Sequence, residues 1–448
     1  MKFHHLRDQS LRIQHKITRF TWGGSWAAAL SNKQRQNLTL FFYDGLFSAA
    51  SDKIILTYMT IYLLTLGVTR QQIGFLSSIS NFSNALLLLP AALLVERSGE
   101  RMQITLKSAL TSRIMVILMA ILPFFLLGSS ALIWIIFALV IIREAANNFA
   151  YPGWIALTSD IVPIQGRGRY FGARNFIMGL AGILVALLIG EFITLIGEPL
   201  GYQLAYLLAA VLGAVSIVYF SRIKDPHPPD EIRSQKNEDE KLTLRENIRG
   251  IILSIKAYPQ FINFVIYVAV WNFSIHIAAP FFTVYMVESL HLTAAMIGVV
   301  TVAHTAANML VQRRVGLLTD KLGNRVVTIF FLFLIPIIPL VWALWVQKYW
   351  HVIILEIFTG LLWGGYNLVS FNNLLIQTPE EHRARFSAYY QIIVTLSMAL
   401  GAGLGSLLIP FIEFFGVTLS SAAGRWTAAL IFLFFVKGPG ASEQPAPE

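Results

Sequence analysis

Several ionisable side chains stand inside long apolar runs, where a charge is costly and by default marks a path for a solute or a proton. They are Asp44, Asp52, Lys53, Arg113, Arg143, Glu144, Glu191, His276, His304 and Glu356. The chemistry open to them is ion pairing, proton uptake and release, and hydrogen bonding to a polar solute. Asp52 and Arg143 carry the strongest expectation, because each lies near the middle of its run and Glu144 adjoins Arg143. Burial disfavours the charge of a carboxylate and a guanidinium restores it, so such a pair is poised to take up and lose a proton. A static ion pair that ties two helices together is the bland alternative. Arg143, Asn147 and Tyr151 are four apart, as are Asn272 and His276, so each set shares a helix face. Glu356, Trp363 and Asn367 run down one later segment. Asp44 lies nearer the end of its run and reads equally well as a solvated interfacial residue. Arg113 reads as a cation that snorkels or finds an acid, and Glu191 and His304 as packing residues.

Other chemistries find no support. No nucleophile–base pair, phosphate loop or metal cluster has useful spacing, so no enzymatic activity, metal or cofactor is expected. His276 lacks a second ligand at metal-binding spacing, and the absence of cysteine removes thiolate sites and disulfides. Tyr151, Trp154, Trp271, Trp363 and Tyr366, with Asn272 and Asn367, suit stacking and hydrogen bonding to a sugar ring or a flat organic molecule.

The elements that must hold these residues are membrane helices. The chain is 56% hydrophobic and 13% charged, with mean hydropathy +0.64, whereas a soluble domain is about 25% charged. Twelve bilayer-length runs are readable, at 38–66, 73–95, 104–127, 131–158, 170–195, 202–220, 261–287, 293–318, 326–344, 351–376, 387–412 and 417–436. The last is the weakest, interrupted by Ser420, Ser421, Gly424 and Arg425. Pro152-Gly153 and Pro280 mark expected bends. The fold class is therefore an all-α polytopic membrane protein.

The net charge of +10 follows topology rather than a nucleic-acid surface. If residue 1 is cytoplasmic, the outside loops hold only Arg70 and Lys348 among the Lys and Arg residues between spans. This asymmetry puts both termini inside, and the expected location is a plasma (inner) membrane. The division expected is a basic cytoplasmic tail (1–37), a six-helix bundle (38–220), a linker (221–259), a second six-helix bundle (260–436) and a disordered tail (437–448). Within the linker, Thr243 and Glu246 form a capping-box pattern. Ile248, Ile251, Ile252 and Ile255 follow on one face, which predicts a short interfacial helix.

Two charged turns repeat. Gly316-Leu-Leu-Thr-Asp320-Lys321-Leu-Gly323-Asn324-Arg325 echoes Ala92-Leu-Leu-Val-Glu96-Arg97-Ser-Gly99-Glu100-Arg101 at an offset of 224, half of the 448 residues. Gly323 suits the positive-φ residue of a tight reversal. Asp320, at a helix C-terminus, calls for a cation or another helix's N-terminus. A second echo, Pro163 to Tyr170 against Pro379 to Phe386, places Arg-x-Arg and an aromatic after a proline at an offset of 216.

On these motifs the sequence resembles the major facilitator superfamily, whose signature turn joins helices 2 and 3 and recurs between helices 8 and 9. The first copy departs at Ala92, Glu96 and Glu100, and the second at Asn324. The resemblance implies twelve helices in two pseudo-symmetric six-helix bundles, acting as a monomer that moves a small organic solute by alternating access, coupled to protons. It implies that helices 1, 4, 7 and 10 line a central cavity, where Asp52, Arg143, Glu144, Asn147, Tyr151, Asn272, His276, Glu356, Trp363 and Asn367 would meet. It makes Glu96, Arg97, Gly99, Arg101 and Asp160, with Gly316, Asp320, Lys321, Gly323 and Arg325, a cytoplasmic gate in which Asp160 is a candidate partner of Arg101. The fifth helix has Gly179-Leu-Ala-Gly182 and lacks the family's antiporter Gly-Pro motif, so direction stays open. A rival reading is a membrane sensor or scaffold that uses this fold without moving solute.

Overall fold

In lipid, a chain this apolar has the helix as its way to satisfy every backbone N–H and C=O. The computed structural model describes residues 21–22, 24–126, 128–226, 258–378 and 383–436, and among these it contains helices and no strand. In order they are α1 (Asn32–Thr65), α2 (Arg70–Ser98), α3 (Arg101–Leu126), α4 (Ser130–Ile161), α5 (Arg167–Ile196) and α6 (Leu200–Ser221). Then come α7 (Pro259–Glu288), α8 (Ala294–Leu322), α9 (Asn324–Leu344) and α10 (Tyr349–Gln377). The last helical stretch, Arg383–Phe435, breaks at Glu413 (φ 52°) into α11 (383–412) and α12 (414–435). Ten described stretches are long and apolar enough to cross a bilayer, α11 and α12 counting as one of them. The more polar α1 completes twelve. The expected linker helix and the 437–448 tail lie outside the described residues.

Local chemistry explains where the first helices begin. The Ser31 hydroxyl accepts from the Gln34 amide at 3.3 Å while the Gln34 side chain accepts from the Ser31 amide at 3.1 Å. Thr69 and Gln72 repeat this reciprocal box at 3.3 and 2.9 Å. These caps start α1 and α2 ahead of their apolar runs. Pro280 divides α7 and Pro336 divides α9, but α4 runs unbroken through Pro152. Ser421 and Gly424 do not interrupt α12: the Ser421 hydroxyl donates to the Ser274 carbonyl at 2.6 Å, and Gly424 lies against the Ser274 side chain. What reads as a weak span is the face that packs on α7.

Part of the expected N-terminal tail is folded. Ser25–Ala29 form a 3₁₀ turn with Ala27 fully buried. Trp22 Nε1 donates to Thr39 Oγ1 at 3.0 Å, and Trp26 Nε1 to the Trp22 carbonyl at 2.7 Å. These indoles pack against Phe41, Ile161, Tyr170 and Phe220 at one end of α1, α4, α5 and α6. Burying such apolar groups favours strap-like packing over a solvated tail.

The described residues divide into two compact units. One holds the chain up to Met59 and from Leu87 to residue 226; the other holds Thr60–Leu86 and the chain from residue 258 onward. The sequence division puts all of α2 in the first bundle. Its beginning instead joins the second unit, because Ser78 Oγ donates to the Ala399 carbonyl at 2.7 Å and Ser406 Oγ to the Gln71 carbonyl at 2.6 Å. An Arg70–Glu288 ion pair adds to this seam.

Candidate substrate site

In the first unit, α1 presents Asp44, Ser48 and Asp52 one turn apart on one face. Asp52 Oδ1 accepts from Arg113 Nη1 at 2.9 Å, and Arg143 Nη2 stands 3.6 Å from the same oxygen. Asp52 Oδ2 accepts from the Ser48 hydroxyl at 3.2 Å. The other arm of Arg143 pairs with Glu144. Two carboxylates and two guanidiniums thus form a chain without net charge, its Arg143 almost wholly buried. Such a chain of charge-assisted bonds fixes the helices that carry it.

Arg113, read from the sequence as a snorkelling cation or one seeking an acid, is the nearer partner of Asp52. It reaches α1 across α6 at Gly213, where a Cβ would stand 2.4 Å from the arginine Nε. A side chain at this position would press on the arginine and force it to shift. Asp44, which reads equally as an interfacial residue, is buried, with its Oδ1 accepting from Ser216 Oγ at 2.6 Å. The four-residue spacing of Asp44, Ser48 and Asp52 is the sequence signal that would have grouped them.

These residues line a cavity of about 280 Å³, together with Asn147, Tyr151 and Trp154 of α4 and Leu106, Ile217 and Phe220. The rings of Tyr151 and Trp154 are stacked, 6.3 Å apart at 20°. The lining therefore combines a flat aromatic surface with carboxylates and hydroxyls. The arrangement suits a small molecule with a planar apolar part and a polar group.

In the turn after α2, Gly99 has φ +68°. The side chains of Glu96 and Arg97 lie outside the described residues. Arg101 is buried between two acids: Nη1 lies 2.5 Å from Asp160 and Nη2 2.6 Å from Asp225. In the turn after α8, Gly323 has φ +81°. Gly316 faces Leu368 of α10. Arg325 donates to the carbonyls of Leu433 (2.8 Å) and Val436 (3.2 Å). Asp320 and Lys321 are exposed. The cation or helix N-terminus expected for Asp320 is not found among the described residues. An exposed carboxylate is served by water, so the helix-end argument does not force a protein partner.

The second unit brings Glu356 to a residue that the sequence reading left as packing. His304 Nδ1 lies 2.8 Å from Glu356 Oε2. The pair forms because α8 and α10 meet closely at Gly360 and Gly364, where a Cβ would stand 2.3 Å from the His304 carbonyl and 2.7 Å from that of Asn308. Glu356 is one turn before Gly360 on that stripe. Trp363 and Tyr366 flank the buried Trp271, with ring centroids 6.4 and 5.2 Å from it. Asn272 and His276 bond back to their own helix, to the carbonyls of Val268 and Asn272. Asn367 is exposed. Glu191 has no ion pair among the described residues.

Among the described residues there is no group of His, Asp and Glu arranged to hold a metal. The sequence matches the profile of the Major Facilitator Superfamily twice, over residues 45–278 and 261–448. Among solved structures, the chain is similar to the nucleoside transporter NupG, with TM-score 0.71 and 12% identity over 90% of this chain and 100% of that one. It is also similar to a POT family transporter in complex with 5-aminolevulinic acid (TM-score 0.68, 13% identity, 89% and 95% of the two chains). A bacterial homolog of the human lysosomal transporter Spinster gives TM-score 0.63 at 14% identity over 89% and 95%. At these identities the likeness is one of fold. No curated protein matches the sequence.

Proposed function

The chain belongs to the major facilitator superfamily, a family of membrane transporters, and we propose that it is a proton-coupled secondary transporter of a small organic solute. It works as a monomer in the plasma membrane, with both termini cytoplasmic, by alternating access between two six-helix halves. The observation that carries this reading is the Glu144–Arg143–Asp52–Arg113 chain beside the cavity of the first unit. An acid shared by two guanidiniums, at a membrane depth where charge is otherwise expelled, ties the position of α1 to those of α3 and α4. A proton that reaches Asp52 loosens that tie. Within the second unit, Glu356 with His304 supplies a further protonatable pair. The charged turns around Arg101 and Arg325 close the cytoplasmic side in the outward-open state.

Reconstituted in liposomes and offered a solute panel, the wild-type protein should accumulate its solute when a pH gradient is imposed. Asp52→Asn should lose that accumulation and retain solute exchange at zero gradient. Accumulation by the variant with unchanged pH dependence would refute the coupling role.

A further inference from the structure

Two acids face the cavity of the first unit, and they are not equivalent. Asp52 is spoken for: its Oδ1 meets Arg113 and Arg143, and its Oδ2 takes the Ser48 hydroxyl. Arg113 is spoken for as well, with one Nη on Asp52 and the other 3.3 Å from Ser48 Oγ. Asp44 stands two turns away, about 12 Å along the axis at 1.5 Å per residue. Its Oδ1 takes the Ser216 hydroxyl. Among the described residues, no donor stands within hydrogen-bond distance of its Oδ2, and no guanidinium or ammonium lies within 4 Å of the carboxylate. The charged and titratable groups that face it from the surrounding helices are Arg174 and Tyr170 of α5, Arg113 of α3 and Asp52 of α1 itself. Arg174 does not close on it, because its guanidinium lies over the Phe41 ring at 4.4 Å from the centroid and outside the cavity lining.

From this geometry we infer that Asp44 is the cation-binding acid of the cavity, and that the solute is an organic cation with a planar ring. The inference rests on the transporter reading and names its solute class. The solute's ammonium meets Asp44 Oδ2, and its ring lies on the shelf of Tyr151 and Trp154, where aromatic faces also attract positive charge. A free anion is disfavoured, because Arg113 and Arg143 are paired with acids, Arg174 lies over Phe41 outside the cavity lining, and the group left to meet the solute is an acid. Ser216 serves both states of the acid, since a hydroxyl donates to a carboxylate and accepts from a carboxylic acid. Binding to the protonated form is therefore an exchange. The ammonium arrives with its own protons, the Asp44 O–H bond breaks, and one proton leaves to the aqueous cavity. One acid that holds either a proton or the solute makes the two mutually exclusive there.

The test uses the full-length protein in lipid nanodiscs and three probes that share one ring system: tryptamine (cation), tryptophol (neutral) and indolepropionate (anion). Tryptamine should bind saturably, neither analogue should displace it, and its affinity should rise by up to about tenfold per pH unit while Asp44 remains protonated when unoccupied. Binding should release a proton into weakly buffered solution. Asp44→Asn should abolish the release and flatten the pH profile, whereas Asp44→Glu should restore both. Should Asp44→Asn not fold, Ser216→Ala, which removes only the Oδ1 donor, should move the midpoint of the pH profile. Equal binding of indolepropionate, proton release that survives in Asp44→Asn, an unmoved midpoint in Ser216→Ala, or no saturable tryptamine binding would each overturn the inference. Flux of some other solute in liposomes would then leave the transporter reading standing. Tryptamine binding with no flux of any solute would count against transport and not against the Asp44 site.

Discussion

Arg101 and Arg325 occupy the same place in two copies of one turn, 224 residues apart, and each reaches toward the end of the last helix of its own half. Their partners differ in kind. Arg101 is buried and grips two carboxylates, Asp160 in the last turn of α4 and Asp225 just past α6. Arg325 is less buried and donates to the carbonyls of Leu433 and Val436, where α12 ends. The first is an ionic knot and the second a helix cap. A repeated motif thus preserves where a cation goes without preserving what it binds. Asn324 fits this shift: its side chain bonds the Val369 carbonyl and Asn373, so α10 is met by an amide where α4 is met by a charge.

The contrast should be measurable as stability. Arg101→Met leaves two acids facing each other without their cation, which should cost about 3 kcal/mol, the lower range for breaking a buried pair. Thermal unfolding in detergent would read this, and adding Asp160→Asn and Asp225→Asn to the same chain should recover at least half of the loss. Arg325→Met should cost only about 1 kcal/mol, because it removes hydrogen bonds to neutral carbonyls and leaves no buried charge unpaired. If the two arginine variants unfold alike, the distinction between knot and cap is wrong. Asp320→Asn should change stability by no more than about 0.5 kcal/mol, since the carboxylate is exposed. A larger drop would reveal a partner for Asp320 that its exposure does not suggest.

The membrane class, the twelve helices and the family were legible because they rest on local signals. Hydropathy marked the spans, and the spacing of Gly, acid and Arg marked the twin turns. Helix starts were less legible: Ser31-x-x-Gln34 and Thr69-x-x-Gln72 are readable boxes that lie outside the apolar runs and so were passed over. In the candidate site, Asp52, Arg143 and Glu144 stood out by depth alone. Arg113 and Asp44 did not, because what distinguishes them is a notch at Gly213 and a hydroxyl at Ser216, both on α6 and far along the chain. His304 was read as packing because its importance comes from Glu356 on another helix.

By itself the sequence determined that this chain lives in a bilayer, that it is helical and that it is built on a repeated plan. Those properties follow from the solvation of side chains and backbone within one turn or one span. The tertiary structure alone decided which acid is clamped by arginines and which takes only a hydroxyl. That choice depends on how each helix is rotated about its axis, and rotation is set by the packing of neighbours that sequence distance does not reveal.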